Sequence, residues 1–295
     1  MCRFRETTFE LLGGVTELNF NLLNWGDDGA VQLAVVLPLC AKLTQLKLID
    51  TQLGDKGAAA LAGAIKGNGV VKTLVLTNNH IGDAGAAAFA DALRINGVLE
   101  ELWLDENKIG DAGAAALADA LRVNGALQKL WLDDNEIGDA GAAAIVRVNG
   151  ALRELALRGN ENIVGAAALA DALRVGSLKN LKLGNTNIDD AGAAAIAEAL
   201  RVNSALKELW LSHTKIGDTG AAALADALRV NGALQTLWLD RNKIGDAGAA
   251  ALADALRVNG ALSCLKLVGN HEIGEDAKSK LQEVVQGRSG FKLEL

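Results

Sequence analysis

The sequence predicts an α/β solenoid, a right-handed horseshoe with a parallel sheet on its concave face and helices on its convex face. A repeat is the first indication, since residues 99–126 and 234–261 agree at nearly every position. Each unit joins a short stretch of alternating leucines to a longer alanine-rich stretch, the patterns of a strand and a helix. Polar residues between the strand leucines leave one sheet face wet, whereas a β/α barrel or a doubly wound sheet buries both faces.

Composition narrows the class of protein further. The 295-residue chain is 50% hydrophobic and has a single proline, which excludes a proline-rich linker or a disordered chain. No apolar run approaches the roughly 18 residues of a membrane span, so we expect no membrane partner. The net charge of −7 disfavours nucleic acid, because phosphate binding needs a basic surface. Three scattered cysteines predict free thiols in a reducing compartment, and we expect a cytoplasmic monomer.

Ten units run in phase along the chain. They begin at Val15, Leu43, Val71, Leu99, Leu127, Leu152, Leu178, Leu206, Leu234 and Leu262, at intervals of 25 to 28 residues. One unit cannot bury its own leucines, so neighbouring units must stack. The stack curves because helices are wider than strands. In the fourth unit the inward-facing residues are predicted to be Leu99, Leu102, Leu104, Ile109, Leu117 and Leu121.

A strand opens each unit, and an asparagine follows it. Residues 101–105 alternate with period two and predict a strand. Asn107 comes next, and we expect its amide to turn inward and satisfy backbone groups that leave the sheet. The same position holds asparagine at 79, 135, 160, 242 and 270, and threonine, which can do this in part, at 51, 186 and 214.

A helix closes each unit. Residues 111–123 predict one, with Asp111 as its N-cap and the Asn124-Gly125 pair as its stop. Aspartate recurs in the same place, where the same capping role is predicted for Asp27, Asp55, Asp83, Asp139, Asp218 and Asp246.

The predicted organisation is one domain with three parts. A capping segment at residues 1–14 precedes the repeat array at 15–274, and a polar capping helix with a last strand occupies 275–295. A longer parent protein is the open alternative to a complete chain.

Two consecutive units are short, which predicts a notch on the convex side near residues 140–165 with altered curvature. The residues expected to cover the first unit are Phe4, Phe9, Leu11 and Leu12.

The repeated pattern LxxLxLxxNxIGDAGAAALADAL resembles the leucine-rich repeat family, and specifically its ribonuclease-inhibitor-like subtype with 28-residue units. The resemblance covers residues 15–295 and departs locally, for example at Leu23, which replaces the asparagine. It implies a horseshoe fold and a protein-binding role. Inhibitors of this family bind ligands through concave tryptophans and acidic residues, so the resemblance implies binding through such residues here.

Four of the five tryptophans fall at one position of the predicted strands. They are Trp103, Trp131, Trp210 and Trp238, which form two neighbouring pairs. Strand alternation predicts that their rings project into open solvent on the concave face. Tryptophan is enriched among interface hot spots, so we interpret the column as a platform for a protein partner. A simpler interpretation is that tryptophan fits a strand or was copied when the repeats duplicated.

Charged residues flank both pairs. Glu101, Asp105 and Asp133 lie beside the first pair, and Glu208 and Asp240 lie beside the second. A partner with a basic surface would suit them, because its arginines can stack on tryptophan and pair with carboxylates. The alternative is a solvated acidic rim without a partner.

Catalysis has little support in the sequence. It lacks a GxxxxGK[ST] phosphate loop, HExxH, CxxC and GxSxG, so we expect no enzyme, cofactor or metal site. Asp105 and Asp133 should stack about 5 Å apart, yet nothing is predicted to close over them. Two alternatives rest on shared repeat type: a GTPase regulator resembling Ran GTPase-activating proteins, and the sensor part of a larger immune receptor.

Overall fold

A computed structural model describes residues 14–148 and 150–295, and it confirms the α/β solenoid. Parallel three-residue strands alternate with helices in chain order. The chain divides into two compact units, Met1–Glu136 with Gly150–Leu152, and Ile137–Asn149 with Arg153–Leu295. Nearly all of the predicted N-terminal cap, including its two phenylalanines and two leucines, lies outside the described residues.

From residue 14 onward, the first unit contains five parallel strands, each paired with the next in sequence order. Its elements are β1 Glu17–Asn19, α1 Gly26–Val36, β2 Gln45–Lys47, α2 Asp55–Lys66, β3 Thr73–Val75, α3 Asp83–Leu93, β4 Glu101–Trp103, α4 Asp111–Leu121 and β5 Lys129–Trp131. A short 3₁₀ helix, Leu37–Leu39, contains the only proline of the sequence.

The second unit continues the same alternation. Its elements are α5 Asp139–Val146, β6 Glu154–Ala156, α6 Ala167–Leu173, β7 Asn180–Lys182, α7 Asp190–Leu200, β8 Glu208–Trp210, α8 Asp218–Leu228, β9 Thr236–Trp238, α9 Asp246–Leu256, β10 Cys264–Lys266, α10 Glu275–Val285 and β11 Lys292–Glu294. Helices α5 and α6 have 8 and 7 residues, against 11 in α7, as the short repeats predict. The notch and the change in curvature stay predictions.

The core consists of the leucines that the repeat pattern assigns to it. All six residues predicted to face inward in the fourth repeat are at most 1% exposed. In most strands the middle residue is buried and its two neighbours are partly exposed, so the sheet has a wet face. Each full burial of a leucine contributes roughly 1.5–3 kcal/mol before the entropy cost of folding. The wet face is called the strand face below.

The asparagine after each strand turns inward, as predicted. The Asn107 Nδ2 donates to the carbonyls of Leu76, Leu104 and Asp105 at 2.9–3.1 Å. Its Oδ1 accepts from the Ile81 amide at 3.0 Å, so one side chain joins two repeats. Threonine substitutes in part, because its hydroxyl donates to a single carbonyl three residues before it, as at Thr186.

A second asparagine series runs through the turn after the helix. The Asn124 Nδ2 donates to the Leu93 and Asn96 carbonyls of the preceding repeat at 2.7 and 2.8 Å. Its Oδ1 accepts from the amides of Ala126 and Leu127. Helix α4 ends three residues earlier, so this buried asparagine does more than stop a helix. Equivalent bonds are made by Asn96, Asn231 and Asn259.

The predicted aspartate N-caps are wrong in one respect: the aspartates whose bonds are described below cap the next helix instead of their own. Glycine occupies the N-cap of most helices, as Gly110 does for α4. The Asp83 Oδ1 of the preceding repeat accepts from the Gly110 and Gly113 amides, both at 2.8 Å. The reason is that Asp83 is the first helical residue, and its Cβ points back past the N-terminus toward the stacked neighbour. The same bonds are made by Asp27, Asp55, Asp190 and Asp218.

Candidate protein-interaction surface

The four tryptophans lie at the ends of neighbouring strands, two in each unit. Trp103 pairs directly with Trp131 across β4 and β5, and Trp210 pairs with Trp238 across β8 and β9. Each tryptophan follows a fully buried leucine, and strand alternation therefore places it on the strand face. All four are partly exposed. The structure brings together the members of each pair, as the sequence predicts.

The rings do not project freely into solvent, which corrects the prediction. The Trp210 and Trp238 rings stack with centroids 3.8 Å apart and planes 12° from parallel. The Trp103 and Trp131 rings are 4.2 Å apart and tilted by 44°. The indole N–H groups of Trp103, Trp210 and Trp238 are buried and have no hydrogen-bond partner in the described part of the chain. Neighbouring rings cover one another because adjacent parallel strands are only about 4.8 Å apart.

Lysines cover the outer faces of the second pair. The Lys182 Nζ lies 4.7 Å from the Trp210 ring centroid, and the Lys266 Nζ lies 4.6 Å from that of Trp238. Both distances are within the range of cation–π attraction. The stacked pair therefore offers its ring edges, and not its faces, to a partner.

The first pair is enclosed differently. The Lys129 Nζ lies 5.7 Å from the Trp131 ring and forms an ion pair with Glu101 at 2.9 Å. Next to Trp103 in the sheet register is Val75, which is 4% exposed. The aliphatic Val75 side chain, and not a lysine ammonium group, therefore lies next to Trp103 on the neighbouring strand.

Asp105 and Asp133 are buried, which corrects their assignment to the accessible surface. Their exposed fractions are 9% and 3%. The Asp105 carboxylate accepts from the Thr77 hydroxyl and from the Asp133 amide, each at 3.3 Å. Burial, and secondly the negative charge of Asp133, raise the pKa of Asp105 to about 7. Both residues follow the end of a strand, at the point where the chain turns toward the interior of the repeat. Their carboxylates are therefore not accessible to a partner.

The remaining predicted carboxylates lie on the strand face with different partners. The Glu101 side chain is 27% exposed and is held by its lysine. Glu208 is partly exposed. Asp240 is also partly exposed and accepts from the Ser212 hydroxyl at 2.5 Å.

Exposed polar residues lie three positions after each tryptophan, where the sequence already suggests residues that flank the two pairs. These rim residues are Glu106 and Asp134 in the first unit and His213 and Arg241 in the second, with φ between 50° and 57°. In two other repeats the same position is glycine, Gly159 and Gly269, also with positive φ. A non-glycine residue in this left-handed region costs on the order of 1 kcal/mol or more.

The rim residues differ in chemistry between the two units. Those of the first unit are two carboxylates, whereas those of the second are an imidazole and the guanidinium of Arg241. In the second unit an open groove of about 490 Å³ is lined by Asn185, His213, Asp240, Arg241, Lys266 and Val268. The His213 Nδ1 lies 3.2 Å from the Asn185 Oδ1, and this contact orients the imidazole along the groove.

Comparison with known protein families tests the family membership that the repeats indicate. Seven segments match the family described as Leucine Rich repeat, and together they span just over half of the chain: residues 39–62, 68–90, 96–118, 126–146, 177–197, 202–225 and 233–253. The chain belongs to the leucine-rich repeat family. A comparison of this leucine-rich repeat protein with curated protein sequences found no match.

The chain is similar to several solved structures at low sequence identity. An internalin from Listeria monocytogenes is 19% identical, with a TM-score of 0.50, covering 97% of this chain and 88% of the internalin. The actin-binding site 2 of leiomodin-1 is 22% identical, with a TM-score of 0.43, covering 50% of this chain and 87% of that one. The tropomodulin C-terminal domain of Caenorhabditis elegans is 15% identical, with a TM-score of 0.44, covering 50% and 91%.

The strand face of this leucine-rich repeat protein carries the aromatic and charged residues described above. Within the described residues, no three His, Cys, Asp or Glu side chains meet where a metal ion could be held. No helix of the described chain combines the length and apolar character needed to cross a membrane. What the strand face offers is two aromatic pairs with charged rims, the composition typical of a protein interface.

Proposed function

We propose that this leucine-rich repeat protein is a non-catalytic scaffold that binds a protein partner through the strand face, the face predicted to be concave. The observation that carries the proposal is the pair of partly exposed tryptophans in each unit, with three indole N–H groups left without an acceptor. An unpaired buried N–H costs about 1–3 kcal/mol. A partner that opens a pair and supplies a carbonyl acceptor removes that cost.

The first pair favours a basic partner segment. Glu106 and Asp134 are exposed beside Trp103 and Trp131, and they take over the electrostatic role first assigned to the buried Asp105. A lysine or arginine that reaches the pair finds carboxylates at the rim and an indole to stack against. Complementary charge raises the association rate and selects among partners.

The repeat subtype, the cellular compartment and the oligomeric state of the protein also form part of the proposal. Directly paired strand residues lie 28 positions apart in β1 to β5 and again in β7 to β11, which supports the ribonuclease-inhibitor-like subtype. Two cysteines of the described chain, Cys40 and Cys264, are free thiols, which supports a reducing, cytoplasmic setting. We propose a monomer.

The GTPase-regulator alternative stays a prediction from family resemblance, and a GTPase turnover assay with and without the protein decides it.

The test is affinity capture with quantitative mass spectrometry. The wild type is compared with a Trp103→Ala/Trp131→Ala variant and a Trp210→Ala/Trp238→Ala variant. Val123→Ala serves as control because this exposed side chain lies at a helix end, away from the strand face. We expect each tryptophan variant to lose the captured partner, since hot-spot truncation typically costs 2 kcal/mol or more. Equal recovery by all four folded proteins would reject the proposal.

A further inference from the structure

We propose that the second tryptophan pair binds an acidic segment of a protein partner, in contrast to the basic segment favoured by the first pair. The inference rests on the proposed function and names the partner chemistry of this one site. The proposed binding site consists of the Trp210–Trp238 stack and the groove beside it.

The groove carries more positive than negative charge. Arg241 and Lys266 line it, and exposed Lys215 and Lys243 lie two residues beyond the rim positions. Arg241 forms no ion pair within residues 14–148 and 150–295, so its guanidinium is available. The one carboxylate among the lining residues is Asp240, which already accepts a hydrogen bond from a serine hydroxyl. An anionic side chain therefore finds cationic donors on the groove.

The lysine caps disfavour a basic partner at this pair. A partner arginine could reach the ring faces only by displacing Lys182 or Lys266. Each ammonium group also forms an ion pair within the chain, Lys182 with Glu154 and Lys266 with Glu294. An arginine would therefore have to break an ion pair as well as a cation–π contact.

The two rim residues lie at a position with a left-handed backbone in all ten repeats. His213 and Arg241 have φ of 57° and 55°, and Gly159 and Gly269 adopt the same region without strain. Asp50, Asn78 and Asn185 have it as well, so the conformation belongs to the repeat turn and does not by itself indicate function. What places His213 and Arg241 in the proposed site is that they line the groove, and the glycines show that the scaffold accepts glycine here.

The experiment measures fluorescence anisotropy of two labelled synthetic peptides, one alternating glutamate with leucine and one alternating lysine with leucine. The test protein is a His213→Gly/Arg241→Gly variant of the full chain. The matched control is Glu106→Gly/Asp134→Gly, which makes the same backbone change at the first pair. Thermal unfolding of each variant is recorded alongside, because replacement by glycine relieves strain and should leave the midpoint equal or higher.

We expect the glutamate peptide to bind the wild type and the control, and to bind the test variant at least about tenfold more weakly, the factor given by about 1.4 kcal/mol. The affinity should fall with added salt. Absence of glutamate-peptide binding to the wild type, or equal binding to both variants, overturns the inference. The lysine peptide reports separately on the proposed function: its binding should depend on Glu106 and Asp134, and its failure would leave the acidic site standing.

Discussion

Replacement of the buried Asp105 by asparagine should stabilise the protein at neutral and alkaline pH. Asparagine has nearly the same shape, and its one oxygen can accept from the Asp133 amide, as the Asp105 Oδ1 does. Its Nδ2 takes the place of the Oδ2 that accepts from the Thr77 hydroxyl, and there the hydroxyl can accept instead of donate. What the substitution removes is a charge buried at 9% exposure beside a second carboxylate. The perturbation therefore isolates the electrostatic cost of ionising this position.

The size of the effect follows from the shift of the pKa of Asp105 from 3.8 to about 7. About three pKa units at about 1.4 kcal/mol each set a ceiling of about 4 kcal/mol. Because the folded-state pKa is the higher one, the folded protein binds this proton more tightly than the unfolded chain. The stabilising contribution is fully present below about pH 4 and is lost as pH rises through about 7.

The assay is urea unfolding of the wild type and Asp105→Asn between pH 4 and pH 8. We expect the two free energies of unfolding to converge near pH 4 and the variant to be more stable above pH 7. Asp134→Asn, at an exposed carboxylate in the next repeat, provides the control and should change little. A variant that is less stable than the wild type at pH 8, or a difference that does not depend on pH, would refute the reasoning.

Three further substitutions test the contacts between repeats. Asn124→Ala should destabilise the protein by about 2–4 kcal/mol in urea unfolding, because it leaves buried carbonyls and amides unpaired; Val123→Ala, at a residue 67% exposed, should cost little, and equal costs would contradict the role of the asparagine. Gly113→Ala should cost about 1–3 kcal/mol, since the new Cβ would lie 2.7 Å from an Asp83 oxygen, whereas Gly125→Ala meets nothing within 4 Å. Asp83→Ala should remove about 1 kcal/mol of helix capping and speed hydrogen exchange at the Gly113 amide; unchanged exchange would show that the cap is dispensable.

The sequence predicts those parts of the fold that depend on short-range patterns. Leucine alternation over 101–104 identifies a strand and its buried face because side chains point to opposite faces with period two. The inward asparagine at 107 is predictable for a related reason: its position after the strand is constant. Both expectations are confirmed by burial and hydrogen bonds.

Interactions between repeats could not be predicted in the same way. The partner of the Asp83 carboxylate lies 27 residues downstream at Gly110, so no local capping rule finds it. Strand alternation assigned Asp105 and Asp133 to the surface beside the tryptophans, but the turn that follows each strand carries them inward. The stacking of Trp210 on Trp238 depends on side-chain rotamers, and period-two alternation specifies only the face on which each ring lies.

Different repeat positions have different roles, which is what two proposed sites of different charge require of one scaffold. Leucine, asparagine and the capping aspartate make contacts to the neighbouring repeat, so a change at any of them alters stability. The tryptophans at the strand ends also contact the neighbouring repeat, through their rings. The rim positions differ between the units, with Glu106 and Asp134 in the first and His213 and Arg241 in the second. Because the left-handed backbone of the rim recurs at Asp50, Asn78 and Asn185, the repeat accepts varied side chains there despite their conformational cost, and their charge can vary without a change in the core.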